Sequence, residues 1–344
     1  MSDGVLDEAY ERLDGTGPER NGWLSNHAPM AAEALVRGGH ADRVHRWIDD
    51  YRDRLEERPR GISPISPEDW REPLGDPVRT GDWLDFFERE LAERPWREVL
   101  ARWWPRLLPG VAAGATHGVI RVGHAVRALL AEETGPRVRE LGAGLGYWAA
   151  RWQPLAPAGR GPYPAGDARS ALDAVPRVPD QRFGIRTRLA QLAELPDWPR
   201  AAGAIPGARG TDVRARIEEI VSAAVLRFGT HGHGNPVMLV HAATAPTAIL
   251  RTLDVLPAGL RQPSLAAAWA ATAAVTSAYS PAQARPMPPR TVGDAADLLA
   301  RAAHDRDAHG IKFADAAVDV FRRTGDQAAL DVGAYAVGLI AGDG

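Results

Sequence analysis

The sequence predicts an all-α fold, a single large multi-helical domain with a proline-rich excursion in its middle. Apolar residues recur at the three- and four-residue spacing of amphipathic helices through most of the chain. No part of the sequence alternates short β-branched strands with helices, so a parallel α/β sheet is not predicted. No segment recurs with a period of about 20–50 residues, which argues against a solenoid of repeats.

In the first half of the chain, the apolar spacing predicts six helices. The second of them follows Asn26, a residue type that favours the N-cap position, and Pro29 suits a first helical turn. His27 therefore lies at the mouth of that helix. The six predicted helices cover approximately residues 3–14, 28–38, 41–58, 82–91, 110–133 and 137–152.

A proline-rich segment follows at residues 153–210, and we expect it to be a loop or lid within a single domain, 1–344. Its prolines leave room only for short helices near 168–175 and 187–195. After it, His241 directly follows an apolar run, which predicts a buried imidazole, and Pro246 starts or kinks the next helix. The remaining predicted helices cover residues 211–228, 246–256, 264–279, 293–303, 308–323 and 327–341.

Composition argues against several classes of protein. The chain has no cysteine, which excludes structural disulfides, zinc–thiolate sites and iron–sulfur clusters. A net charge of −3 without basic blocks predicts no nucleic acid and no membrane as partner. No apolar run approaches the roughly 18 residues of a membrane span, and the amino terminus does not resemble a signal peptide, so we expect a cytoplasmic protein. Phosphate-binding glycine loops and Gly-x-Ser-x-Gly elbows are absent from the sequence.

Lys312 is the only lysine in a sequence whose other basic residues are arginine. Arginine can serve any surface position that needs only positive charge. A buried lysine amine, in contrast, can lose its proton and then act as a nucleophile or take up CO2. His309 lies three residues earlier, on the same face of the predicted helix. The alternative is a lysine retained by chance, with its amine in water.

Four histidines lie on or at the mouth of helices that are otherwise apolar or rich in small residues. They are His27, His117, His241 and His309, and each comes from a different part of the chain. Imidazole is the commonest metal ligand in proteins and suits iron, zinc, copper and nickel. The four could therefore converge on one metal ion. Alternatively, they are capping or core side chains without a ligand.

Two further polar residues, Arg121 and His124, share a helical stripe with His117 at positions i, i+4 and i+7. Such a stripe is either a solvent face or the lining of a buried polar site, and the apolar residues around it favour the buried site. We therefore consider both as candidate catalytic residues. The alternative for Arg121 is a salt bridge. Trp103, Trp104, Trp148 and Trp152 are candidates for a wall that stacks on an aromatic substrate, or else core residues.

Five motifs in order along the chain resemble the questin oxidase-like family. Each is unspecific alone, and together they extend over nearly the whole chain. They are Asn26-His27-x-Pro29-Met30-x-x-Glu33-Ala34-Leu35, Thr116-His117-Gly118-Val119-Ile120-Arg121, Glu140-Leu141 with Tyr147-Trp148-Ala149-Ala150-Arg151, Val240-His241-x-x-Thr244-x-Pro246, and Asp307-x-His309-x-Ile311-Lys312.

The resemblance implies a non-haem iron oxygenase that uses O2 on polycyclic aromatic polyketides, such as anthraquinones, in secondary metabolism. The reaction would be ring cleavage of the dioxygenase or the Baeyer–Villiger type. It also implies that His27, His117, His241 and His309 bind Fe(II) together with a CO2-derived carbamate on Lys312. The expected partners are the aromatic substrate and O2, with a homodimer as the candidate assembly.

The sequence also departs from the family pattern. Arg121 replaces a histidine of fungal relatives and His124 replaces a tyrosine, so we expect a different substrate pocket. Some relatives are described as NADPH-dependent, and the sequence contains no nucleotide-binding motif, so a need for NADPH stays open. Two other functions remain alternatives: a metal-dependent hydrolase with a metal-activated water, and a helical protein that binds a small molecule without catalysis.

Overall fold

The computed structural model describes residues 3–159, 167–205 and 212–342. Within these ranges the fold consists of α-helices, short 3-10 helices and one two-stranded antiparallel sheet, so the predicted all-α class is confirmed. The α-helices are α1 (Asp3–Leu13), α2 (Ala28–Arg37), α3 (Ala41–Arg52), α4 (Thr80–Glu93), α5 (Trp96–Leu107), α6 (His117–Ala131), α7 (Gly135–Ala150), α8 (Ala168–Asp173), α9 (Ile185–Ala190), α10 (Trp198–Ala202), α11 (Val213–His231), α12 (Pro236–Leu239), α13 (His241–Thr252), α14 (Arg261–Tyr279), α15 (Ala295–Asp305), α16 (Ala308–Thr324) and α17 (Gln327–Ala341).

The shorter elements connect these helices. Strands β1 (Glu19–Arg20) and β2 (Leu24–Ser25) form a small hairpin just before α2. The 3-10 helices are Pro77–Arg79, Leu108–Gly110, Ala113–Thr116, Gln191–Glu194, Gly232–Gly234, Leu253–Val255 and Ala258–Leu260. Among the described helices, none combines the length and the apolar character that crossing a membrane requires.

Helices α2, α6, α13 and α16 form a closed ring, in which each packs against the next. Their first turns meet at one end, where His27 and His117 are in contact. Residues that follow the first-turn histidines of these helices by six to ten positions meet further along the bundle, as Arg127 of α6 and Asp315 of α16 do. The four helices therefore run in the same direction, and their amino termini share one end of the ring.

The start of α6 differs from the prediction. The predicted helix 110–133 begins at His117 and ends at Ala131, because Gly114, Ala115 and Thr116 have left-handed backbone, with φ of 53°, 56° and 65°. An α-helix cannot continue through such residues. His117 is consequently the first residue of α6 and lies at the end of the bundle.

Helix α13 begins at His241, so Pro246 lies inside it and the alternative in which Pro246 starts the helix is wrong. A proline inside a helix removes one backbone hydrogen bond and leaves the carbonyl four residues earlier without its partner. Here that carbonyl belongs to Ala242, and it accepts a hydrogen bond from Oγ1 of Thr272 at 3.0 Å. A side chain of α14 thus offsets the cost of Pro246, and the helix extends back to His241.

The described parts of the proline-rich segment pack on the helical body. Helix α8 contacts α11, whereas α9 and α10 contact α14. The indole N–H of Trp269 on α14 donates to the carbonyl of Ala201 and so joins the segment to the helical body. Within the segment, the indole N–H of Trp198 donates to the carbonyl of Ala156. The two predicted short helices correspond to Ala168–Asp173 and Ile185–Ala190. Residues 160–166 and 206–210 of the predicted lid lie outside the described residues.

A glycine sets the separation of α6 and α13. A Cβ atom on Gly123 would lie 2.5 Å from Cβ and 2.6 Å from Cα of Ala248. We expect Gly123→Ala to force the helices apart and to lower the free energy of unfolding by about 1–3 kcal/mol, measured by urea denaturation. Gly338→Ala is the control, since its Cβ would meet only the end of the Arg301 side chain. An unchanged stability in Gly123→Ala would contradict this packing.

Candidate metal centre

Four imidazoles from α2, α6, α13 and α16 meet at the amino-terminal end of the ring. Nε2 of His117 lies 2.8 Å from Nε2 of His27 and 3.1 Å from Nε2 of His241. The ring centre of His309 lies 4.5 Å from that of His27 and 5.5 Å from that of His241. His309 is partly exposed, and the other three are buried. The structure thus brings together the four histidines that the sequence singled out.

In three of the four imidazoles, a hydrogen bond at Nδ1 determines which ring nitrogen carries the proton. Nδ1 of His117 lies 2.7 Å from the carbonyl of Gly114, and Nδ1 of His241 lies 3.0 Å from the carbonyl of Met238. A carbonyl only accepts, so each Nδ1 carries the hydrogen and donates it. Nδ1 of His309 donates likewise to Asp307 at 3.2 Å. In the neutral rings, Nε2 therefore presents a lone pair to the centre of the cluster.

The cluster is uncharged near neutral pH. Burial lowers the pKa of all four imidazoles, and the neighbouring charge of Lys312 lowers it further. Nε2 of His117 and Nε2 of His241 then face each other at 3.1 Å with no proton between them. Two lone pairs at this distance repel each other unless a cation lies between them. The donor set thus fits a metal ion.

The nitrogen spacing favours one coordination geometry. Two nitrogen ligands about 2.1 Å from one ion lie about 3.0 Å apart at right angles and about 3.4 Å apart in a tetrahedron. The observed separations of 2.8 and 3.1 Å agree better with right angles. Right-angled ligands are typical of octahedral sites, whereas structural and catalytic zinc sites are mostly tetrahedral.

Lys312 lies one turn after His309 on α16 and is 1% exposed. Its Nζ has no hydrogen-bond partner within the part of the chain that the structure describes. Burial lowers the pKa of Lys312 from 10.5 to about 7, although Asp307 acts in the opposite direction. A large fraction of the amine is therefore unprotonated at neutral pH, the form that reacts with CO2.

This shift predicts a pH dependence of stability. The folded metal-free protein releases the Lys312 proton near pH 7, whereas the unfolded chain keeps it up to about pH 10.5. Between these values the unfolded state binds more protons, so the free energy of unfolding rises with pH, by at most about 1.4 kcal/mol per pH unit. Urea denaturation in CO2-free buffer at several pH values measures it. Lys312→Met should lack this rise, and an equal rise in that variant would contradict the assignment.

The helix termini make this end of the ring electropositive. His27 is the N-cap of α2, His117 and His241 are the first residues of their helices, and His309 is the second residue of α16. Each amino terminus carries a partial positive charge of roughly half an elementary charge, and four of them in parallel repel one another. An anionic group at this end offsets the repulsion.

A second layer of buried charge lies further along the same four helices. Glu33 of α2 accepts hydrogen bonds from Nδ1 of His124 at 2.7 Å and from Nε of Arg127 at 2.8 Å. Asp315 of α16 accepts from Arg127 at 2.8 Å and from Arg251 of α13 at 2.6 Å. Burial alone would raise the pKa of Glu33, but Arg127 and His124 hold it at about 2. Each helix of the ring thus contributes to an ion-pair layer that fixes the helices relative to one another.

The two candidate catalytic residues are buried, as the stripe on α6 predicted, and each donates hydrogen bonds to a glutamate. Nε and Nη2 of Arg121 donate to the carboxylate of Glu140 at 2.5 and 2.7 Å. His124 belongs to the ion-pair layer, and burial lowers its pKa to about 4 although Glu33 acts in the opposite direction. Their roles in catalysis stay a prediction.

Three of the four tryptophans proposed for a stacking wall are core residues. Trp103, Trp104 and Trp148 are at most 1% exposed. Trp152 is half-buried and lines a cavity of about 550 Å³ together with Trp23, Tyr147 and Arg151. Gly114 also lines this cavity, and its carbonyl is the partner of His117. An aromatic surface therefore lies beside the loop that positions His117.

Sequence reasoning missed the groups that orient the imidazoles. Tyr51 lies with its hydroxyl 3.3 Å from Nδ1 of His27, and no local pattern connects residues 24 positions apart. The carbonyls of Gly114 and Met238 carry no residue-specific signal at all. Asp307 was detectable, because an aspartate before a predicted helix is an N-cap signal, and it accepts from the backbone N–H of His309 at 2.7 Å.

The geometry of the cluster can now be compared with known proteins. A family model described as Questin oxidase-like matches residues 24–131. The match confirms the resemblance over the first two motifs, which contain His27 and His117. The segments with His241, His309 and Lys312 lie beyond the matched range. A match to the Questin oxidase-like family suggests an oxidoreductase. Comparison with curated proteins finds no match.

Proposed function

We propose that this protein is a non-haem iron oxygenase that oxidises or cleaves a polycyclic aromatic, anthraquinone-like polyketide with O2. The observation that carries the proposal is the convergence of four imidazoles: Nε2 of His117 lies 2.8 and 3.1 Å from Nε2 of His27 and of His241, and the ring centre of His309 lies 4.5 Å from that of His27. The match of residues 24–131 to the Questin oxidase-like family supports an oxidoreductase, and the aromatic substrate is part of our proposal. A set of four imidazoles and a carbamate oxygen exceeds the three protein ligands of a typical catalytic zinc site, and imidazole suits iron, which supports the oxygenase over a zinc hydrolase.

The ligands in this proposal are His27, His117, His241 and His309, with a carboxylated Lys312 as the fifth. The neutral amine of Lys312 attacks the carbon of CO2, so that a C–N bond forms while one C=O π bond breaks and its electron pair moves to oxygen. The nitrogen then releases one proton to water, which leaves an anionic carbamate. Burial of the amine keeps it neutral enough to react. The carbamate also supplies the anion that the four helix termini favour.

Iron in this site supplies redox chemistry with O2 and a coordination position open to a reactant. The residues around it orient its ligands. Gly114, Met238 and Asp307 hold three imidazoles by their Nδ1–H groups, and Tyr51 lies against the fourth. Such partners fix the ring orientation and raise the basicity of the ligand. The ion-pair layer of Glu33, Arg127, Arg251 and Asp315 holds the four helices in register.

The cavity beside Gly114 is the substrate site in this proposal. Its volume of about 550 Å³ lies within the range of pockets for small organic molecules. Trp23 and Trp152 offer flat apolar faces to a fused ring system. Nη2 of Arg151 pairs with Glu19, while Nε of Arg151 is buried and has no partner within the described ranges, so it is free to donate to a phenolate oxygen.

Oxygen consumption tests the function. Protein loaded with iron under anaerobic conditions is mixed with O2 and a panel of hydroxyanthraquinones and hydroxynaphthoquinones, with and without NADPH. We expect O2 uptake in a fixed ratio to loss of one of these substrates. Metal-free and zinc-loaded protein are the controls. Equal uptake by the metal-free protein, or substrate turnover without O2, would contradict the proposal.

A further inference from the structure

A second buried polar site lies on the side of α6 that faces α1 and α7. Arg121 uses Nε and Nη2 for Glu140, and its Nη1 has no hydrogen-bond partner among the described residues. The hydroxyl of Tyr10 on α1 also has none. Arg121 and Tyr10 are 6% and 4% exposed and line one cavity of about 30 Å³. Buried donors without a partner are unfavourable, so a missing acceptor is expected there.

A larger groove adjoins this cavity. It has a volume of about 370 Å³ and lies between α4 and α7, with walls formed mainly by Leu84, Leu91, Val138 and Ala143. The two spaces share four wall residues, Arg58, Leu84, Arg139 and Ala143. The groove and the cavity are therefore neighbours, with the apolar walls on the groove side and the two unpaired donors on the cavity side.

The charges in the walls define the ligand further. Every charged wall residue has a partner of opposite sign, in the pairs Arg121–Glu140, Arg139–Asp14 and Arg58–Glu88. The site therefore has no net charge to neutralise. Burial raises the pKa of Tyr10 well above its usual value, so its hydroxyl stays protonated and donates. The N–H of Arg121 Nη1 and the O–H of Tyr10 are two donors on the cavity side, and they favour a ligand with an acceptor oxygen.

We infer that this groove is a ligand site for a neutral, largely apolar compound with a carbonyl oxygen at one end, such as an aryl ketone or a quinone. The carbonyl accepts hydrogen bonds from Nη1 of Arg121 and from the hydroxyl of Tyr10, and the ring system lies along Leu84, Leu91 and Val138. Arg121 is four residues after His117, so the two side chains leave α6 about one helical turn apart. The site does not depend on the metal.

Calorimetric titration of the metal-free full-length protein tests this inference. The two ligands are 1-tetralone and tetralin, which has the same ring system but lacks the carbonyl oxygen. We expect 1-tetralone to bind and tetralin to bind at least several-fold more weakly. Tyr10→Phe removes only the unpaired hydroxyl, and it should weaken 1-tetralone binding by roughly 2- to 10-fold without affecting tetralin. The thermal midpoint of Tyr10→Phe checks that the variant folds.

A variant that fills the groove distinguishes binding in the groove from binding elsewhere on the protein. Ala143 is a half-buried wall residue common to both spaces, and Ala143→Leu should abolish 1-tetralone binding. Ala101→Leu places the same side chain at a half-buried position of α5 outside both walls and should bind normally. Absence of 1-tetralone binding to the native protein, equal binding of tetralin, or full binding by Ala143→Leu would each overturn the inference and leave a cavity filled by water.

Discussion

Replacing Lys312 with arginine is expected to abolish oxygenase activity while the protein stays folded. Arginine keeps a permanent positive charge and cannot form a carbamate. The variant therefore lacks the fifth ligand and places a cation beside four neutral imidazoles, so we also expect it to lose iron. Oxygen uptake with the aromatic substrate measures activity, and circular dichroism measures the fold.

Two further substitutions keep this test decisive if arginine disturbs the packing. Lys312→Met replaces a buried amine that has no partner among the described residues by an apolar chain of similar length, so it should fold and still be inactive. Lys312→Ala should regain part of its activity when acetate or propionate is added, because a small carboxylate can occupy the place of the carbamate. Full activity in Lys312→Met would rule out the carboxylated lysine.

His117→Ala is expected to have the second largest effect, a loss of iron affinity of roughly 100-fold or more. His117 is central, since its Nε2 contacts Nε2 of both His27 and His241. Removal of a residue that only hydrogen-bonds to a metal ligand typically lowers metal affinity by about 10- to 100-fold, and removal of the ligand itself lowers it further. Anaerobic titration with Fe(II), followed by absorbance or calorimetry, measures the affinity.

The matched control for this variant is His304→Ala. His304 is an exposed histidine near the end of α15, outside the cluster. It should bind iron like the native protein. The cluster would not be the iron site if both variants bound equally, or if only His304→Ala lost the metal.

The sequence predicted the members of the cluster better than their arrangement. Lys312 and the four histidines were recognisable because a lone lysine, and imidazoles on or beside helices that are otherwise apolar or rich in small residues, are local features. The parallel ring was not recognisable, since it depends on contacts between α2, α6, α13 and α16 that are far apart in the chain. Residue spacing also could not show that Arg121 and His124, on the stripe of His117, pair with Glu140 and Glu33.

Helix boundaries failed where the tertiary structure overrides local preference. Ala115 and Thr116 adopt left-handed backbone that their residue types disfavour, and this conformation moves the start of α6 to His117. Pro246 lies inside α13 because Thr272, 30 residues from Ala242, satisfies the freed carbonyl. The left-handed residues before α6 and the proline inside α13 each place a histidine at the shared end of the ring. Unfavourable backbone conformations often occur at functional sites.

The metal content of protein purified without oxygen and without added metal tests the central claim most directly. Elemental mass spectrometry of the native protein should find about one iron per chain. Zinc in place of iron would contradict the oxygenase and favour a hydrolase with a metal-activated water. Absence of any metal would contradict the metal centre and leave a helical protein that binds a small molecule.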